Sequence, residues 1–255
     1  MGKKAIITGA TSGLGLSFAK KLASLGYDLI ITGRRKEIIE KLADEMRTQY
    51  RVEVQVILAE MADGRDLQKV VTAIKNRDDL EFLINNAGFG INKFFWANDI
   101  EQEKDLVKVQ VIASLELIHA VIPGMTKNGR GNIINVSSLA AFMPLVRNAS
   151  YSGSKAFLNF FSESLHMELA DKGIRVQSLC PGFIRTDFHK RVKMDPQEWE
   201  RLQRFKWMEP EEVVQYSLTC LDKNRVICIP GFWNRMALRL ISKIPRKRYY
   251  EFAGK

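Results

Sequence analysis

Thr8-Gly-Ala-Thr-Ser-Gly-Leu-Gly15 stands between a short apolar run, Lys4 to Ile7, and a stretch from Leu16 to Leu25 with helical spacing that Gly26 ends. A glycine-rich turn that leaves a strand and opens a helix has a physical use. Gly9 permits the tight turn, Gly13 lets backbone approach a pyrophosphate, and Gly15 permits close helix packing. Thr11, Ser12 and Leu14 complete the same turn. Free N–H groups and the positive dipole end of the helix then attract an anion. The spacing here is Gly-x-x-x-Gly-x-Gly rather than the usual Gly-x-Gly-x-x-Gly, so a turn without a ligand stays open at this point.

Outward from that turn, strands and helices alternate. "YDLIITGRR" reads as a second strand, and "KEIIEKLADEMRTQY" as an amphipathic helix with Ile38, Leu42 and Met46 at four-residue steps. "VEVQVILAE", "LEFLINNAG", "GNIINVSS", "IRVQSLCPG" and "RVICIPG" supply five more strands. Helices are expected over 65–78, from about Glu101 to Ile122, over 150–173 and over 209–223. This alternation implies a parallel, doubly wound α/β sheet with helices on both faces. No repeat, low-complexity segment or linker interrupts it, so residues 1–255 are expected to form one domain.

The end of the second strand bears on which dinucleotide fits. An NAD site commonly places a carboxylate there for the ribose 2′-hydroxyl. This chain has Gly33-Arg34-Arg35 instead. Two guanidiniums suit a 2′-phosphate, which Arg can bind in bidentate fashion. The expected cofactor is therefore NADP(H) in preference to NAD(H).

Composition narrows the classes further. Hydrophobic residues are 46%, charged residues 27%, and the net charge is +10, an ordinary globular balance with a basic bias. No nucleic-acid module is visible, so the bias reads as a phosphate-bearing ligand plus a basic tail. No apolar run reaches 18 residues, and the Ala5-Ile6-Ile7 run is too short for a signal-peptide core. Cys180, Cys220 and Cys228 form no Cys-x-x-Cys pair, which suggests a reducing, cytoplasmic compartment. His119, His166 and His189 fit no zinc spacing, and no metal is expected.

One constellation carries chemistry. Tyr151 and Lys155 are four apart in a helical stretch and share a face. A nearby cation favours a phenolate, and lowering a phenol's pKa by ~2–3 units corresponds to about 3–4 kcal/mol. Such a phenol can trade a proton with a carbonyl oxygen. Ser138, thirteen residues before Tyr151, ends "NIINVSS" at the ligand edge of the sheet, where its hydroxyl can bond a developing oxyanion.

"TGATSGLG", "NNAG" (Asn85 to Gly88), Ser138, Tyr151-Ser-Gly-Ser-Lys155 and "PGFIRT" (Pro181 to Thr186) occur in that order. Together they resemble the short-chain dehydrogenase/reductase family over about residues 3–231. The resemblance implies a single Rossmann domain with a seven-stranded parallel sheet, an NAD(P) cofactor, and interconversion of carbonyls and alcohols. It implies Tyr151 as acid/base and Ser138 as the group orienting the substrate carbonyl; its usual thirteen-residue separation favours Ser138 over Ser137. Lys155 would lower the tyrosine pKa and hold the nicotinamide ribose. Asn86, Ala87 and Gly88 would line the cofactor, and Pro181, Gly182, Ile184 and Thr186 would meet its nicotinamide end. The family commonly has Asn in a "V-N-V"-like stretch, linking the lysine through water to bulk; Val109-Gln110-Val111 puts Gln110 there. Family members often have Asp beside adenine, where Glu60-Met61 stands.

Residues 183–210 correspond to the family's substrate flap. Phe183, Phe188, Trp199, Phe205 and Trp207 lie among Lys190, Arg191, Lys193, Arg201, Arg204 and Lys206. That mixture suits a lipophilic carbonyl or alcohol with an anionic handle, such as an acyl thioester, although each residue can equally be core or solvated surface. Residues 231–255 carry seven basic residues and one acid, Glu251. Trp233, Met236, Ala237, Leu240, Ile241 and Ile244 fall at helical spacing there; such a stripe can lie on an anionic membrane, on a partner subunit or on its own domain. A homodimer or homotetramer is expected from the resemblance, and no nucleic-acid partner is. A dinucleotide-binding sensor or scaffold of the same fold is the competing reading.

Overall fold

Ala5, Ile6 and Ile7 are fully buried in the strand Lys4–Ile7 (β1), which lies mid-sheet in this computed structural model. The structure describes residues 2–186, 188, 200 and 206–253. β1 pairs in parallel with Asp28–Gly33 (β2) on one side and Leu80–Asn85 (β4) on the other. With Val54–Leu58 (β3), Gly131–Val136 (β5), Ile174–Leu179 (β6) and Ile227–Cys228 (β7), the order is β3-β2-β1-β4-β5-β6-β7. This is the parallel, doubly wound sheet that the alternation implies, with the seven strands of the Rossmann domain that the resemblance implies. Strand order reverses between β1 and β4, which opens a crevice at the carboxyl ends of those strands.

Alternate side chains of each strand feed two cores. Ala5 and Ile7 join Leu29, Ile31 and Ile84 beneath Gly13–Ser24 (α1), Lys36–Tyr50 (α2) and the helix Pro210–Asp222. Ile6, Ile30 and Leu83 face the other layer, beneath Gly64–Ile74 (α3), Ala113–Lys127 (α5) and Ala149–Leu169 (α6). Strands covered on both faces explain the near-continuous apolar runs of the central strands, while the edge strand β3 keeps an alternating, partly exposed pattern.

Three details differ from the sequence reading. In α2 the buried stripe is Ile39, Ala43 and Met46, while Ile38 is exposed. Positions 39, 43 and 46 share one helical face, and Ile38 lies about 100° around from Ile39. The helix expected to end at Ile122 runs through Pro123 to Lys127. In that added turn Gly124 lies against the backbone of Arg77, where a Cβ would come within 2.0 Å of the Arg77 carbonyl oxygen. Finally, Ile100–Lys127 is long and apolar enough by composition to span a membrane. Val109, Ala113, Leu117 and Val121 bury its inner face on the sheet, so it serves here as a core helix.

Candidate active site

Thr8, the first residue after β1, organises the cradle. Its hydroxyl oxygen accepts hydrogen bonds from the backbone N–H of Asn86 at 2.9 Å and of Ala87 at 3.0 Å. The Asn86 side-chain amide donates in return to the carbonyls of Thr8 at 2.9 Å and Gly9 at 3.1 Å. The ends of β1 and β4 are thereby tied across the crevice. Sequence reading missed Thr8; its signal was a hydroxyl at the end of an otherwise apolar strand.

The glycines of the turn meet real spatial demands. Gly9 (φ +67°) and Gly13 (φ +57°) adopt left-handed backbone. A Cβ at Gly15 would sit 2.3 Å from the Gly9 carbonyl oxygen and 2.4 Å from the Asn86 amide nitrogen. A Cβ at Gly13 would lie 3.0 Å from the Thr186 methyl. Among the described residues no side chain caps the amino end of α1 at Ser12, and its first turn holds no acidic residue. Helix N–H groups beside a backbone-only wall fit a pyrophosphate. Leu14 points into the core.

At the end of β2, Arg35 donates to the Thr11 hydroxyl at 2.7 Å, which places its guanidinium against the glycine turn. Arg34 pairs with Glu60 at 2.7 Å. The sequence reading considered Glu60 only in relation to adenine; the fold brings this carboxylate to the arginine instead. Both side chains are well exposed, and such an ion pair is worth about 0–1 kcal/mol, so an incoming phosphate can compete for Arg34.

Across the crevice, Ser138 follows β5, and Tyr151 and Lys155 stand on the first turns of α6. The Ser138 hydroxyl faces the Tyr151 phenol closely enough to favour its ionised form. Ser138 Oγ also accepts from the Ala140 N–H at 3.1 Å, which fixes its rotamer. The neighbouring Ser137 instead donates to the Lys155 carbonyl at 2.9 Å and latches β5 to α6. Lys155 is 5% exposed; its ammonium lies 5.6 Å from the centre of the Tyr151 ring and donates to the Val136 carbonyl at 2.8 Å.

The electrostatics differ from expectation in one respect. Burial raises the Tyr151 phenol above its ordinary value, and the neighbouring Ser138 hydroxyl only partly offsets this. Sequence reasoning expected Lys155 to lower it. The ammonium lies by the ring and is directed at Val136, and burial pushes Lys155 itself down to about 7, with slight support for its charge from nearby Cys180. The Cys180 thiol is pushed up to about 11 by its own burial.

Beneath these groups lies a polar relay that sequence reading did not find. Asn85 donates to Asn135 at 2.9 Å, Asn135 to Ser162 at 2.9 Å, and Ser162 to the Leu158 carbonyl at 2.6 Å. Ser178 donates to Asn159 at 2.6 Å. These bonds lock the ends of β4, β5 and β6 to α6.

Gln110 sits in a π-helical turn, Lys108–Ile112, between Ile100–Val107 (α4) and α5. Such turns are frequent at functional sites. Its side-chain amide donates to the Phe89 carbonyl at 2.7 Å, clamping the loop after Gly88. Its backbone carbonyl, the expected acceptor for a water leading to the lysine, accepts from Ser114 at 3.0 Å. Gln110 is thus a loop clamp in this geometry.

The segment after β6 is the one expected to meet the nicotinamide. Pro181 and Ile184 are buried, and Thr186 abuts Gly13. Ile184 forms a parallel bridge with Met208, and Arg185 N–H donates to the Met208 carbonyl at 3.0 Å, closing the base of the excursion expected to be a flap. The Phe188 ring lies 6.1 Å from that of Tyr151, and Phe183 lies 5.4 Å from Trp207. His189, Lys190, Arg191, Lys193, Trp199, Arg201, Arg204 and Phe205 fall outside the described residues.

Comparison with known proteins bears on the family and the fold. A family model described as short chain dehydrogenase matches residues 3–197. The human protein named inactive hydroxysteroid dehydrogenase-like protein 1 is 33% identical over 72% of the chain and 57% of its own length. The very-long-chain 3-oxoacyl-CoA reductase of Anas platyrhynchos is 34% identical over 76% of the chain and 63% of its length. The chain therefore spans about three-fifths of the length of these curated relatives. Among solved structures, a short-chain dehydrogenase from Sphingobium yanoikuyae in complex with NADPH superposes with a TM-score of 0.84, at 29% identity over 95% of this chain and 96% of that one. A 7beta-hydroxysteroid dehydrogenase gives a TM-score of 0.88 at 25% identity over 100% of this chain and 97% of its own.

Proposed function

Because the chain belongs to the short-chain dehydrogenase/reductase family, we propose that it transfers a hydride between NADP(H) and a carbonyl or secondary alcohol, with Tyr151 as acid/base. The observation that carries this reading is the grouping of the Ser138 hydroxyl, the Tyr151 phenol and the Lys155 ammonium, which lies 5.6 Å from the centre of the tyrosine ring. When bound, the nicotinamide supplies the hydride. Helix α1 and Gly9, Thr11, Ser12, Gly13, Leu14 and Gly15 would hold the pyrophosphate, and Asn86, Ala87 and Gly88 the floor of the crevice. Pro181, Gly182, Ile184 and Thr186 would meet the nicotinamide end, and Lys155 the ribose. Arg34 and Arg35 would take the 2′-phosphate, the feature that favours NADP(H) over NAD(H).

The chemistry assigned to the side chains follows from their environments. A phenol whose pKa is raised stays protonated across the neutral range, the form that donates a proton to a carbonyl oxygen as hydride arrives. Ser138 would donate a hydrogen bond from its hydroxyl to that oxygen. Lys155, near neutrality, is suited to resupply the proton. General acid catalysis of this kind contributes about 10²–10⁴-fold.

A lipophilic substrate is supported by Phe188 beside Tyr151 and by the Phe183–Trp207 pair. The acyl-thioester activity named for the duck relative puts that class on the panel to be tested. One domain over residues 1–255, with a flap at 183–210, a cytoplasmic location and a homodimer or homotetramer belong to the same reading. Phe160 and Met167, exposed along α6, support the oligomer. A sensor without turnover is the second reading, favoured by the word inactive in the human relative's name. Oxidation of NADPH and NADH over a panel of ketones, aldehydes and 3-oxoacyl thioesters separates them. Turnover with NADPH is expected; dinucleotide binding without turnover on every carbonyl would favour the sensor.

A further inference from the structure

We propose that the segment Phe232–Ala253 is a docking face for an anionic lipid surface. The helix Phe232–Ile241 buries no residue completely. It leans on the protein through Asn234, Leu238 and Ile241, with Asn234 against Gly182. That leaves Trp233, 66% exposed, in line with Ala237 and Leu240, both exposed. Positions 233, 237 and 240 follow the helical repeat and make one apolar stripe facing solvent, and Ile244 is exposed in the turn just past the helix end. The helix Arg246–Ala253 is pinned by Tyr249, which is buried and donates to the Pro144 carbonyl at 2.8 Å. Its neighbours Tyr250 and Phe252, the latter 85% exposed, are left outside.

Charge selects the occupant. Residues 231–255 hold seven Lys and Arg against one Glu. Arg239, Lys243, Arg246, Lys247 and Arg248 are exposed, and none forms an ion pair among the described residues. An exposed aromatic and aliphatic stripe flanked by Lys and Arg is the composition of a helix that lies in a membrane interface. A second copy of the chain fits this face poorly. A two-fold contact would press the same patch against itself and bring its excess cations together. The Leu240 and Ile244 side chains suit hydrocarbon rather than stacked bases.

The face adjoins the candidate site. Tyr249 holds the Pro144 loop, whose exposed Leu145 and Val146 extend the apolar surface toward α6, and Asn234 contacts the cofactor-side Gly182. Docking would therefore set the crevice beside the lipid surface. The inference stands on exposure and charge, independently of the role given to Tyr151.

The test is sedimentation of the full chain with phosphatidylglycerol–phosphatidylcholine vesicles and with pure phosphatidylcholine vesicles. Two variants accompany it, Arg246→Ala/Lys247→Ala/Arg248→Ala and Trp233→Ser/Leu240→Ser; thermal unfolding confirms that both fold. The chain is expected to pellet with the anionic vesicles and far less with the neutral ones. Each basic residue near such a surface raises partitioning about fivefold, so the triple variant should bind roughly a hundredfold more weakly. The apolar variant should also lose binding. No pelleting, equal pelleting with both lipids, or pelleting unchanged in the variants would overturn the proposal. So would loss of vesicle binding coupled to a stable dimer that dissociates in the Trp233→Ser/Leu240→Ser variant.

Discussion

Replacing Lys155 with Met should change not only the stability of the fold but its dependence on pH. Burial holds this lysine near 7, against an ordinary value of 10.5. Between those values the unfolded chain binds a proton that the folded chain does not, so stability rises with pH through that window. Below about pH 7 both states are protonated, and the folded state bears the full cost of a buried charge, roughly 5 kcal/mol. Above about pH 10.5 both are neutral, and the cost vanishes. The local slope approaches about 1.4 kcal/mol per pH unit. Lys155→Met removes this term. It also strips the Val136 carbonyl of its donor, a penalty of about 1–3 kcal/mol that varies little with pH. Urea unfolding of both proteins in parallel isolates the lysine, because the other titrating groups cancel in the difference. The wild type should gain about 2 kcal/mol on the variant between pH 7 and pH 9. A difference that stays flat, or that moves in the opposite direction, would refute the claim that this ammonium is desolvated.

The remaining predictions concern the cofactor cradle. Arg35→Ser should weaken NADPH binding by roughly tenfold or more, the worth of a charge-assisted hydrogen bond of about 1.5–3 kcal/mol, and leave NADH binding unchanged; nucleotide fluorescence titration reads both. Gly15→Ala should destabilise the chain by about 1–3 kcal/mol and abolish dinucleotide binding, because its methyl would collide with the Gly9 carbonyl and the Asn86 amide. Thermal unfolding and the same titration check it, and retention of both properties would show that the turn has slack.

The sheet was legible because each of its strands is an apolar run bounded by turn residues. Seven such runs, from Lys4–Ile7 to Ile227–Cys228, became seven strands. Ser138, Tyr151 and Lys155 were legible because their order and spacing are local to one strand–helix unit, and the fold brings them together. What escaped depends on contacts distant in sequence. Thr8 meets Asn86 and Ala87, and Asn85 meets Asn135, only once β1, β4 and β5 are side by side. Glu60 reaches Arg34 only across neighbouring strands. Spacing also placed Lys155 near Tyr151 without giving the direction of its ammonium, or the burial that raises the tyrosine's pKa. In the tail, the periodicity predicted a helix, and the packing decided that Met236 and Ile241 turn inward while Trp233 and Leu240 turn out.

The most direct measurement is single-turnover oxidation of NADPH by the carbonyl that the wild type reduces best, compared with Tyr151→Phe. Removing one hydroxyl should slow the reaction by about 10²–10⁴-fold while NADPH binding and thermal stability stay close to wild type. A variant that reduces the carbonyl within a few-fold of the wild-type rate would contradict the account, because the proton would then come from some other group.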